Sequence, residues 1–207
     1  MKANRKFIEA DERAASVVFD VILIVVITVA ITAVGIYAYT NLVKKSETNT
    51  PHIVEPGKTL LTISVGSQSY NYTLNDLTAL ASVSGQGCYI NKVGKITGPN
   101  NYTGVTVSVL LSTIPSLPTN YTFHAIASDG YARNYSINEV NGHVILFNET
   151  GAEIGTGNLT MIVAYKENGV FLNETTNGPL RIAFVDSQLS ITNSGLWLSS
   201  LIKIEII

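Results

Sequence analysis

There is one cysteine in the chain, Cys88, so no internal disulfide can form and the protein is not a small disulfide-stapled scaffold. Charge is scarce: 13 Lys and Arg and 15 Asp and Glu among 207 residues. After residue 59 the cations are Lys92, Lys95, Arg133, Lys166, Arg181 and Lys203, six against nine acids. That balance leaves no basic footprint and excludes nucleic acid as a partner. The motifs of several common enzyme classes are missing too. There is no Gly-x-Ser-x-Gly, no His-Glu-x-x-His, no Cys-x-x-Cys and no P-loop. Asp76, Asp129 and Glu139 are scattered acids without the spacing of a calcium loop, so no metal site is expected. Asp129-Gly130 and Asn141-Gly142 read as turns.

What the chain does have is an apolar run, Val21 to Ala38, without a charge. As a helix it covers about 27 Å, close to the ~30 Å of a hydrocarbon core. Lys2, Arg5, Lys6 and Arg13 precede it, and Lys44 and Lys45 follow. The larger basic cluster stays inside, which predicts that the C-terminal part lies outside the cell. Tyr37 and Tyr39 followed by Lys44-Lys45 read as the outer boundary of a retained helix. Seven Asn-x-Ser/Thr sequons begin at Asn71, Asn101, Asn120, Asn134, Asn148, Asn158 and Asn173. All seven follow the run, as glycan acceptors on an exported surface would. A composition rich in Asn and Thr also generates such triplets.

Residues 9–23, EADERAASVVFDVIL, resemble the N-terminus of archaeal type IV pilins and archaellins. The resemblance rests on Asp11-Glu12-Arg13-Ala14, Ser16 and Val21-Ile22-Leu23. It implies a leader over 1–14, a prepilin peptidase cut between Ala14 and Ala15 after Arg13, and a pilin-type transmembrane helix over 15–43. Such a helix lies in the membrane and offers self-assembly into a filament. Val17 and Asp20 stand where the family has Pro and Gly. Asp20 then has two readings: an interfacial carboxylate, or a subunit contact paired with the Ala15 amino group of a neighbour.

Residues 44–58, with Pro51, Pro56 and Gly57, read as a linker. From Thr59 the pattern has period two. Leu61, Ile63 and Val65 alternate with Thr62 and Ser64, and Tyr70 and Tyr72 follow a turn at Ser67-Gln68, which predicts a hairpin. A short helix is expected after Asn75 as N-cap, and another over 105–111. Strands are expected over 123–127, 143–147, 159–164, 180–185 and 201–206, placing His124 and His143 in structural positions. The expected fold class is α+β: a long N-terminal hydrophobic helix, then a mainly-β domain over 59–207 with a few short helices.

Within that domain, Tyr102-Thr103-Gly104-Val105, Ala127-Ser128-Asp129-Gly130-Tyr131, Asn177-Gly178-Pro179-Leu180-Arg181-Ile182 and a closing strand from Trp197 to Glu205 occur in order. Together they resemble the oxidoreductase molybdopterin-binding domain of the sulfite oxidase type. That resemblance implies a sulfite-oxidase-like fold, and for a catalytic member Cys88 as the molybdenum ligand. A lone cysteine is also a common core residue, and the cations that a pterin phosphate needs are few. The expected function is therefore a surface-displayed, pilin-like or anchored protein with a structural or adhesive role, its domain non-catalytic and without cofactor. The alternative is a membrane-tethered molybdopterin-dependent oxidoreductase facing outward.

Overall fold

The computed structural model describes residues 57–175 and 177–207. Two sheets enclose one core. The first holds β1 (Thr59–Val65), β2 (Gln68–Thr73), β5 (Phe123–Ala127), β6 (Ala132–Tyr135) and β13 (Leu201–Ile206), in the order β2-β1-β13-β5-β6. Alternation decides its inner face: Leu61, Ile63, Phe123, Ala125, Leu201 and Ile204 are buried. The β1–β2 hairpin turns at Gly66-Ser67, with Val65 opposite Gln68, so Gln68 already belongs to β2. β1 runs parallel to β13, with Ile63 opposite Ile204, which joins the two ends of the domain.

The second sheet holds β3 (Ser82–Ile90), β4 (Ile96–Thr106), β7 (His143–Phe147), β8 (Glu153–Asn158), β9 (Thr160–Glu167), β10 (Val170–Phe171), β11 (Arg181–Val185) and β12 (Ile191–Asn193). Its order is β10-β9-β4-β3-β12-β7-β8, with β11 also paired to β9. Every residue of β11 is buried. A strand covered on both faces shows a continuous apolar run rather than alternation, as Ile182-Ala183-Phe184-Val185 does.

The helices are short: α1 (Leu74–Ala79), α2 (Val107–Ser112) and α3 (Ile137–Val140). The N-cap of α1 is Thr73, not Asn75. The Thr73 hydroxyl accepts from the Asp76 N–H at 3.2 Å, and the Asp76 carboxylate accepts from the Thr73 N–H at 2.8 Å. Two reciprocal bonds satisfy two orphan donors where a cap at Asn75 would satisfy one. The Thr73 hydroxyl, which donates to the Asp76 carboxylate at 2.7 Å, and then the Thr73 N–H hold the Asp76 carboxyl below its ordinary range. The helix expected over 105–111 starts two residues later, because β4 continues through Thr106, whose hydroxyl caps α2.

The expected α+β class is corrected. The described residues form a mainly-β fold in which helices of six, six and four residues cap and connect strands and build no layer of their own. Among the described residues no helix is long and apolar enough to cross a membrane. The helix expected over 15–43, the leader before it and the linker to residue 56 lie outside the described residues.

Candidate functional site

Cys88 lies in the middle of the second sheet. β3 pairs with β4 on one side and with β12 on the other, where Cys88 stands opposite Ile191. Its side chain is 4% exposed. Burial pushes the thiol pKa up, away from the thiolate that a metal requires. The neighbouring backbone is fixed by a buried relay. Trp197 Nε1 donates to Thr192 Oγ1 at 2.8 Å, and Thr192 Oγ1 donates to the Cys88 carbonyl at 3.2 Å. Tyr89 and Tyr102 pack against the Trp197 ring at 4.9 and 5.2 Å between centroids.

Arg181, at the start of β11, is 3% exposed. Its guanidinium sits 5.2 Å from the Tyr102 ring centroid and 5.2 Å from that of Trp197. Glu167 faces it at 3.7 Å. Among the described residues the buried Arg181 Nε has no hydrogen-bond partner. Glu167 also accepts from Tyr102 Oη at 2.9 Å and from Asn100 Nδ2 at 2.7 Å. This is a core-facing cluster, tied to aromatic faces by cation–π attraction.

The described residues do carry an open cleft, of about 480 Å³, between β6–α3 and the β7–β8 hairpin. Arg133, Glu139, His143, Phe147, Glu153 and Asn193 line it. Arg133 Nη2 donates to Glu139 Oε1 at 2.7 Å, while Glu139 Oε2 accepts from the Ser136 N–H at 2.8 Å. One carboxylate thus caps α3 and anchors the arginine. The guanidinium stacks 4.9 Å from the Tyr135 ring centroid, and its buried Nε has no partner among the described residues. Glu139 is half-buried and engaged on both carboxylate oxygens. The Ser136-x-x-Glu139 capping box is the signal in the sequence that marks it. The Arg133 pairing has no such signal.

These side chains do not fit a phosphate-bearing pterin and a thiolate-bound metal. Cys88 is enclosed in a paired strand, Arg181 and Arg133 face carboxylates, and Lys203 pairs with Glu205 at 2.6 Å. Lys166 lies 4.3 Å from the Phe171 ring centroid, and Lys92 and Lys95 are exposed beside the β3–β4 turn. Among the described residues no three His, Cys, Asp or Glu side chains gather into a metal site. His124 contacts the Asn134 side chain across the β5–β6 pair, and His143 borders the cleft. The seven sequon asparagines are spread over the surface: Asn71, Asn101, Asn120, Asn134 and Asn158 are exposed, Asn148 and Asn173 half-buried.

Tyr102 also sets a pH dependence. Its phenol is pushed up to about 12, chiefly by burial, with the Arg181 charge pulling the other way. Tyr135 moves in the same direction by burial. In the unfolded chain a tyrosine loses its proton near pH ~10. The folded state therefore binds more protons between about pH 10 and 12. This contribution to stability is full below pH ~10 and is lost as pH rises through the folded value. The unfolding midpoint should fall above pH ~10, more steeply for the native chain than for Tyr102→Phe. Thermal melts against pH, with phenolate absorbance as a second signal, check this.

A solved structure with the same architecture is the sulfane dehydrogenase SoxCD from Paracoccus pantotrophus, at a TM-score of 0.50 and 16% identity over 70% of this chain. The chain spans 37% of the length of that chain. No protein-family model and no curated protein matches the chain. The reading as an archaeal, membrane-anchored, pilin-like filament subunit is corrected. The described residues hold no helix able to cross a membrane, and the matching architecture is that of a dehydrogenase, not a pilin. Arg13, Ala14, Ala15 and Asp20, which carried that reading, lie outside the described residues.

Proposed function

We propose that residues 59–207 form a non-catalytic domain on this oxidoreductase-like fold, carried outside the cell and working by binding rather than by redox chemistry. The position of Cys88 supports this most. A buried thiol on a central strand, with its pKa raised by burial, is poorly placed to take a metal. Three of the cations, Arg181, Arg133 and Lys203, already face Glu167, Glu139 and Glu205. The cleft beside Arg133 and His143 gives the domain a concave wall of mixed polarity, which suits a binding role. The surface sequons support the outside location.

The test is metal and pterin content. Full-length protein made in cells that synthesise molybdopterin should carry no stoichiometric molybdenum by elemental analysis. It should release no pterin fluorescence on denaturation, and Cys88→Ser should leave both readings unchanged. About one molybdenum per chain, lost in Cys88→Ser, would establish a thiolate-held cofactor instead.

A further inference from the structure

Three of the sequons lie on sheet edges. β2 pairs only with β1, β6 only with β5 and β8 only with β7 among the described residues. Asn71 is on β2, Asn134 on β6 and Asn158 closes β8, and all three are exposed. The Asn71 triplet lies within β2, while those of Asn134 and Asn158 run past the ends of β6 and β8. The middle residues Tyr72, Tyr135 and Leu159 pack into the core, while the asparagines stay on the surface. Asparagine is depleted in strands, so its recurrence at three edges needs a reason besides alternation.

Structural needs account for other members of the set. Asn148 Oδ1 accepts from the Thr150 and Ala152 N–H groups at 3.0 and 2.9 Å, and Asn173 Oδ1 accepts from the Thr175 N–H at 2.9 Å. Those two asparagines shape turns. The Thr73 and Ser136 hydroxyls cap helices, which explains the third position of two triplets but not the first. Where Asn71 and Asn134 hydrogen-bond, they do so through Oδ1.

We infer that Asn71, Asn134 and Asn158 carry N-linked glycans that close the free strand edges against pairing with other chains. The step needs a lipid-linked oligosaccharide as donor. The amide nitrogen forms a bond to the anomeric carbon, the carbon–oxygen bond to the lipid phosphate breaks, the lipid phosphate leaves and the amide loses a proton. No electrons are transferred to or from a cofactor. An exposed edge is a template for strand addition, and a bulky hydrophilic chain beside it removes that option without changing the strand.

This inference rests on the outside location proposed above, and the two fail separately. Protease shaving of intact cells reports location, and glycopeptide mass spectrometry of the full chain from its native cells reports modification. Glycan mass on the peptides of Asn71, Asn134 and Asn158 is expected. A chain cut at the cell surface whose three peptides are unmodified overturns this inference alone. The role is read from the triple variant Asn71→Gln, Asn134→Gln, Asn158→Gln, made in the same cells beside Asn120→Gln, whose sequon lies in a loop. The triple variant should show a several-fold larger aggregated fraction by light scattering at an unchanged thermal midpoint, and Asn120→Gln none. Equal monodispersity of the triple variant and the native chain would overturn the edge-guarding role.

Discussion

Glu167→Ala is expected to lower the unfolding free energy by about 3–5 kcal/mol, whereas Arg181→Met is expected to cost about 1 kcal/mol or less. The asymmetry follows from burial. Removing Glu167 leaves the Arg181 guanidinium enclosed between Tyr102 and Trp197 without its counter-charge, and strips the acceptor from Tyr102 Oη and Asn100 Nδ2. An uncompensated buried charge costs more than the pair contributed when intact. Methionine in place of Arg181 removes the charge itself and offers an unbranched, polarizable chain to the same two rings. Glu167 retains Tyr102 and Asn100 as donors in that variant. Urea unfolding of the two variants checks the order. Equal losses would mean that the pair contributes mainly through packing.

The second large effect is at Gly142. It follows α3, its N–H donates to the Glu139 carbonyl, and its backbone lies at φ +87°. A methyl group there would stand 1.6 Å from the Leu159 carbonyl oxygen, in backbone that cannot retreat without breaking the bond from the Leu159 N–H to the Gly142 carbonyl. Left-handed strain of about 1–2 kcal/mol adds to a steric cost of about 1–3 kcal/mol, so Gly142→Ala should lose about 2–5 kcal/mol. Gly130 is the control. Its φ is +86° and nothing lies within 4 Å of the added carbon, so only the strain of about 1–2 kcal/mol applies. Because Gly142 hands the chain from α3 to His143 on β7, its loss should also distort the cleft. Thermal melts of the two alanine variants, compared with the native chain, separate strain from collision.

Period-two alternation and continuous apolar runs made the strands at Phe123–Ala127, His143–Phe147 and Leu201–Ile206 legible from local residues. The Thr73-x-x-Asp76 and Ser136-x-x-Glu139 boxes were equally local, and the first was misread because Asn75 is itself a good cap. The order of motifs from Tyr102 to the closing strand pointed to the architecture shared with the sulfane dehydrogenase. The α+β class fails because the helices at Leu74–Ala79 and Val107–Ser112 only cap and connect strands and build no layer.

The state of Cys88 was beyond any local pattern. The sequence determined that the chain has one thiol, few cations, seven sequons and a sheet-rich C-terminal part. The tertiary structure decided that β12, about a hundred residues later, pairs beside Cys88, that Arg181 faces Glu167, and that three sequons fall on sheet edges. The reason is physical. Alternation and capping depend on neighbours within a few residues, whereas burial, ion pairing and edge position depend on which distant strands meet. That choice belongs to the whole core, where β1 and β13 pair in parallel from opposite ends of the domain.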